Sequence, residues 1–163
     1  EVMKLCKSYR STCEITDFAQ RIRANTDLEP VARHGEKPRV LRYNNEKEEL
    51  SSIKELIATY QASTYKSLGI VCKTESQARE MADKLQIPDI HFLSNQSTAF
   101  VQGIVITSAH IAKGLEFDEV IIPQVDDKNY HSEIDRSMLY VAVTRAMHRL
   151  TLTYSRNKTP LFD

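Results

Sequence analysis

Glycine is scarce in this chain. Only four occur in 163 residues, at positions 35, 69, 103 and 114, and none is followed by lysine. The phosphate-cradling pattern G-x-x-x-x-G-K-[ST] is therefore missing, which excludes a complete P-loop nucleotide site within this sequence. Cysteine is also scarce: Cys6, Cys13 and Cys72 are an odd number with no C-x-x-C pair. A disulfide scaffold and a zinc ribbon both fail on that count, and a reduced, cytoplasmic setting is expected. Net charge is missing too, with 22 basic residues against 22 acidic ones. A wholesale electrostatic grip on nucleic acid or an anionic membrane is not indicated, so any nucleic-acid contact has to come from a few placed residues. No apolar run approaches the roughly 20 residues that span a bilayer, and no signal peptide is recognisable, so no membrane partner is expected. The five histidines show no H-E-x-x-H pairing, and Asp126-Asp127 lacks the rest of a calcium loop, so no metal site is expected from this chain alone.

What is present is a globular composition, 41% hydrophobic and 27% charged. The chain starts at Glu1 rather than Met, and is expected to be a piece of a longer protein. Short β-branched runs alternate with amphipathic stretches. Strands are predicted at 2–6, 40–43, 68–72, 90–93, 103–107, 120–122 and 150–154. The capping-box pattern Ser11-Thr12-Cys13-Glu14 predicts a helix to about Ala24. Leu50, Ile53, Ile57 and Tyr60 recur at helical spacing and predict a helix over 46–62. Thr74 is expected to cap a helix to about Leu85, and a last helix is predicted from about Glu133 to Arg149. Residues 25–38 read as a loop. Continuous apolar strands between helices imply an α/β class with a largely parallel sheet. In such sheets ligands are expected beyond the carboxyl ends of strands.

Three segments could carry chemistry. In Ser8-Tyr9-Arg10-Ser11-Thr12, Arg10 precedes a helix N-terminus, where amide groups and the dipole already favour an anion; Tyr9 offers a face for stacking a base. A surface Tyr-Arg pair before a capped helix is the competing reading. In the stretch 107–118, Thr107, Ser108 and His110 follow a strand, Lys113-Gly114 permits a sharp turn, and Glu116 and Asp118 come next. Hydroxyl, imidazole and carboxylate together suggest a hydrolase triad, but the nucleophile elbow G-x-S-x-G is missing. Glu116 could instead accept hydrogen bonds from a ribose, or simply solvate a turn. In the third segment, about 100° per residue places Arg145 inside the apolar stripe of the last helix, between Val141 and Met138. A guanidinium there needs an anion, an internal carboxylate, or a stem long enough to reach water. Arg149 falls near the expected helix end, where it could cap carbonyls.

Taken together, the segments resemble the second RecA-like motor domain of UvrD/Rep-type superfamily 1 helicases. Leu5 to Thr12 looks like motif IV. Thr107 to Val120, with Lys113-Gly114-Leu115-Glu116-Phe117-Asp118 inside it, looks like motif V. Tyr140-Val141-Ala142-Val143-Thr144-Arg145-Ala146 looks like motif VI. Gly69 to Glu80 is similar to a weaker segment between motifs IV and V.

The resemblance implies a three-layer RecA-like domain over 1–163, the C-terminal half of an ATP-driven DNA helicase or translocase. Arg10 and Arg145 would be the arginine fingers on the γ-phosphate of ATP. Tyr9, Gly114 and Glu116 would belong to the nucleotide-binding set, with Tyr9 on the adenine and Glu116 on the ribose. Thr107 and His110 would touch single-stranded DNA. The first RecA-like domain of the same polypeptide would bring the P-loop and the Mg²⁺ ligands, so this piece alone is expected to be inactive. Only nine residues separate Leu93 from Gly103, so the accessory domain many members insert here is not expected. Ser8-Tyr9-Arg10-Ser11 is more similar to the helicase IV and RNA-polymerase-associated branch. That likeness raises an alternative, a non-enzymatic module that docks a partner such as RNA polymerase.

Overall fold

A computed structural model of the chain describes residues 11–24, 33–94 and 102–162. Six strands form one sheet: β1 (Arg39–Tyr43), β2 (Ser67–Cys72), β3 (Ile90–Phe92), β4 (Gly103–Ser108), β5 (Phe117–Ile122) and β6 (Ala146–Ser155). Their spatial order is β1-β6-β5-β2-β4-β3, and every pairing is parallel. The expected parallel sheet is thus present among the described residues. The strand expected at 2–6 lies outside the described residues.

Helices cover both faces. α1 (Cys13–Ile22), the single turn α4 (Ala109–Ala112) and α5 (Glu133–Val143) pack on one face with the short 3₁₀ turn Pro160–Phe162. α2 (Glu46–Gln61) and α3 (Glu75–Leu85) cover the other. The pleat sorts side chains between the two cores. Leu68, Ile70 and Cys72 of β2 point to the α2/α3 side, while Val71 points to the α1/α5 side. β2 is buried along its whole length, as its run Ser-Leu-Gly-Ile-Val-Cys suggests. Gly69 has a reason of its own: a Cβ there would lie 2.5 Å from the ring of Phe117 on neighbouring β5.

Helix starts follow local chemistry. Asn45 accepts from the Glu48 amide at 2.9 Å to open α2. Thr74 and Gln77 form a reciprocal capping box at α3, as do Ser132 and Asp135 at α5. The expected box at α1 is different. Thr12, not Ser11, is the N-cap, accepting from Ile15 N at 3.3 Å. Ser11 is turned away and donates to the Ala146 carbonyl at 2.8 Å. Glu14 reaches instead to His34 and to the Gly35 amide.

The largest correction concerns the last helix. α5 ends at Val143, and residues 146–149 belong to β6. The Thr144 hydroxyl donates to the carbonyls of Val141 and Tyr140, closing the helix. The next residues then enter a ladder with β5, in which Phe117 N donates to Arg145 O at 2.9 Å and Phe117 pairs with Ala146. Ladder pairing between two neighbouring strands outweighs a helical spacing built on β-branched Val141, Val143 and Thr144.

Candidate functional site

Because all strands run the same way, the sheet has one amino edge and one carboxyl edge, and the candidate residues divide between them. Gly114 and Glu116 lie just before β5, and Arg145 lies just before β6, all at the amino edge. Thr107 and His110 lie at the far end of β4, at the carboxyl edge. The crossover through α4 therefore carries one motif from one edge of the sheet to the other. The candidate residues are expected in the loops after strands: His110 lies in such a position, whereas Gly114, Glu116 and Arg145 precede strands.

Arg145 is not on a helix face. It sits in the turn between α5 and β6, held by its own amide to Ala142 O. Its guanidinium donates to three neutral oxygens: Val141 O at 3.2 Å, Leu115 O at 3.2 Å and Thr144 Oγ1 at 3.3 Å. No salt bridge among the described residues includes it. Burial pushes its pKa down, opposed by the charges of Glu116 and Tyr140. A half-buried cation solvated by carbonyls and one hydroxyl is oriented but not neutralised, which suits it to an incoming anion. Gly114 has φ +91° with open space around it, so a side chain there would meet backbone strain rather than a clash.

The segment after Thr12 anchors the same edge. Cys13 N donates to Arg33 O at 2.8 Å, and Arg33 Nη2 donates to Met147 O at 3.3 Å. The hydrogen bond from His34 and the Gly35 amide hold the Glu14 carboxyl down at about 2. A Cβ on Gly35 would lie 2.8 Å from Thr12 Cγ2, so this strap packs closely on the start of α1. A pocket of about 290 Å³ opens beside Glu116, with Arg33, Asp118, Met147 and His148 on its walls. Ser11 and Ala146, the residues that follow Arg10 and Arg145, are joined by the hydroxyl–carbonyl bond described above. Tyr9 and Arg10 themselves lie outside the described residues.

At the carboxyl edge, Ser108 caps α4 by accepting from Ile111 N at 3.4 Å. His110 is exposed on that turn. Thr107 is fully buried, and its hydroxyl donates to Leu93 O at 2.9 Å. The imidazole and Glu116 lie at opposite edges of the sheet, so the triad suggested by their closeness in sequence does not form.

Arg149 is the other correction. It lies on β6, not at a helix end, and binds Glu119 at 3.2 Å and Glu36 at 3.1 Å, with its guanidinium over the Tyr65 ring. Sequence reasoning missed Glu119, although a carboxylate inside the apolar run Phe117-Asp118-Glu119-Val120-Ile121-Ile122 is a readable signal of an internal partner. It also missed the structural part of Ser11 and Arg33, for which no local signal exists.

The three-layer α/β fold with its all-parallel sheet matches that of a helicase C-terminal domain. The model of the UvrD-like helicase C-terminal domain matches residues 3–102 and 92–157, and the chain belongs to that family. DNA helicase II of Escherichia coli K12 is 33% identical over 73 residues, covering 39% of this chain and 10% of that protein. The UvrD2 ATP-dependent DNA helicase of Mycobacterium tuberculosis H37Rv is 34% identical over 73 residues, covering 37% of this chain and 10% of that protein. The matched stretch thus spans about a tenth of the length of these curated relatives. Among solved structures, the C-terminal domain of a possible DNA helicase from Lactobacillus plantarum superposes with TM-score 0.80 at 27% identity, covering 95% of this chain and 92% of that one. An arterivirus helicase solved with DNA shares the fold alone, at TM-score 0.50, 14% identity, and 72% and 28% coverage.

Proposed function

We propose that this domain is the second motor half of an ATP-driven superfamily 1 DNA helicase or translocase, and that its amino edge completes the ATP site of a neighbouring domain. The observation that carries this reading is Arg145: a half-buried guanidinium, oriented by three neutral oxygens, with no salt bridge among the described residues. The donor set fits a polyphosphate, because a triphosphate supplies the negative charge that the carbonyls do not. Glu116 lies close enough to influence the Arg145 charge and is suited to a ribose hydroxyl. Gly114 lets the backbone turn between them without a side chain in the way. The Ser11–Ala146 bond supports Arg10 as the second arginine, with Tyr9 on the adenine.

The chemistry assigned to these residues is electrostatic. Phosphoryl transfer spreads negative charge over the equatorial oxygens, and preplaced guanidinium groups stabilise it without reorganising. Mg²⁺ and the P-loop belong to the first motor domain. Closure of the two halves on the nucleotide would bring Arg145 to the γ-phosphate, and exposed His110 on the opposite edge would meet single-stranded DNA, with Thr107 fixing the strand beneath it. Location in the cytoplasm rests on the cysteine usage and an RNA-polymerase partner on the sequence resemblance alone, and nothing in the geometry favours a docking module without ATPase activity.

The test is Arg145→Ala in the complete protein. ATP turnover should fall by roughly 10³-fold or more, in line with losses of arginine fingers elsewhere, while DNA binding without nucleotide persists. Turnover near that of the unmodified protein would refute the role.

A further inference from the structure

The segments that carry the two proposed arginine fingers are joined by more than the Ser11–Ala146 bond. β1 meets β6 only from Thr151 onward, so the first residues of β6 have no strand on that side. Residues 33–36 lie there instead. Arg33 Nη2 donates to Met147 O at 3.3 Å, and Glu36 accepts from Arg149 Nε at 3.1 Å. The same four residues grip the start of α1. Arg33 O accepts from Cys13 N at 2.8 Å, and His34 Nδ1 and Gly35 N bind the two oxygens of Glu14 at 2.9 and 2.8 Å. Arg33 thus bonds to both segments by itself, to α1 through its backbone and to β6 through its guanidinium. Cys13 stands three residues after Arg10 in the sequence, and Met147 two residues after Arg145.

Two further observations point beyond packing. β6 is irregular at this point: between the pairs Phe117–Ala146 and Glu119–Arg149 it carries one more residue than β5. Such a bulge bends a strand and re-aims its neighbours, so the direction of the Arg145 turn depends on what holds Met147. The second is the guanidinium of Arg33. Its Nε is buried without a hydrogen-bond partner, and no salt bridge among the described residues includes it. A buried donor left unmet lowers stability. Methionine has a stem of similar length and would occupy this place without that donor, so filling space does not account for an arginine here.

We propose that Arg33 is a positioning residue for the nucleotide site, fixing the Arg145 turn at a set distance from the start of α1. The proposal rests on the motor reading, because Arg33 acts through Arg145. With the two motor halves closed on ATP, a finger displaced by ~1 Å loses much of its effect on the transferred phosphoryl group. The bonds from Cys13 N to Arg33 O and from Arg33 Nη2 to Met147 O resist that displacement.

The test is ATP turnover of the complete protein, with saturating single-stranded DNA, in Arg33→Met, Arg33→Lys, Arg145→Ala and the double variant of Arg33→Met with Arg145→Ala. Arg33→Met should lower kcat by about 10- to 100-fold and leave KM for ATP within about twofold. Its melting temperature should stay within about 3 °C of the unmodified protein, which separates lost positioning from lost folding. Arg33→Lys keeps a donor for Met147 O and should restore turnover to within about fivefold of the unmodified protein. In the double variant Arg33→Met should add less than about a twofold further loss, because the finger it serves is gone. Unchanged turnover in Arg33→Met beside a disabled Arg145→Ala would overturn the proposal and leave the motor reading standing. So would losses that multiply in the double variant, a rise in KM alone, or a loss in Arg33→Lys as deep as in Arg33→Met. A much lower melting temperature in Arg33→Met would overturn it too, assigning the residue to the fold. Full turnover in Arg145→Ala would overturn both.

Discussion

Arg145 and Arg149 stand four residues apart and use their charge in opposite ways. Arg149 is consumed internally by Glu119 and Glu36, whereas among the described residues Arg145 donates only to neutral oxygens. In the sequence the two looked alike, both falling on one side of an expected helix, and what separates them is which partners lie across the sheet. The Glu119 pair has a consequence for stability. Burial raises its carboxyl from 4.5 to about 6, against the pull of Arg149 and Arg39. The folded chain therefore binds that proton more tightly than the unfolded chain, and stability falls as pH rises from about 4.5 to about 6. Glu49, also raised, acts in the same direction. Asp135 acts oppositely and only in more acid solution: burial alone would raise it, but the bonds from Lys73, His131 N and Ser132 N hold it well below the usual carboxylate range. The melting temperature measured across that window should decline, and the decline should be shallower in Glu119→Gln; an unchanged slope would contradict the assignment. Gly69→Ala should destabilise by about 1–3 kcal/mol in denaturant unfolding, because the Phe117 ring at 2.5 Å is itself fully buried and has nowhere to go.

At the scale of elements, most of what the chain does locally was readable. The β2, β4 and α2 bounds fall within one or two residues of expectation, since apolar runs and helical spacing report burial directly. The Thr74 cap was also readable, because a cap is a contact between residues three apart. Thr74→Ala should cost about 1 kcal/mol of stability through loss of that cap, seen as a lower denaturation midpoint with unchanged slope. Two elements were not readable. The single turn α4 is too short to show a period, and its Ser108 cap looks like any polar turn. The α5–β6 boundary is decided by the ladder to β5: Phe117 N to Arg145 O joins residues far apart in the chain, and no local pattern signals it.

For the molecule as a whole, the two edges of one sheet separate the proposed ATP-facing residues Gly114, Glu116 and Arg145 from the proposed DNA-facing residue His110; Thr107, expected to touch DNA, is instead buried beneath that edge with its hydroxyl on Leu93 O. A strand of about six residues, roughly 20 Å, lies between them. That separation suits a domain that senses nucleotide on one side and holds a strand on the other, with the rigid sheet coupling the two. Since no G-x-x-x-x-G-K-[ST] pattern occurs in these 163 residues, the purified chain should release no phosphate from ATP above background, and activity should require the domain that carries the P-loop. Steady turnover by the chain alone would mean that the site is built differently. The sequence by itself determined the α/β class, the parallel character of the sheet, the cap of α3 and the absence of a G-x-x-x-x-G-K-[ST] pattern, because each is written in neighbours along the chain or in residues that are simply not there. Only the tertiary structure decided that Arg145 leaves the helix, that Ser11 ties itself to Ala146, that Arg149 is spent on Glu119, and that one motif is split between two edges. Those outcomes depend on hydrogen bonds and buried charges between residues about 30 to 135 positions apart, whose meeting is set by how strands are ordered in the sheet.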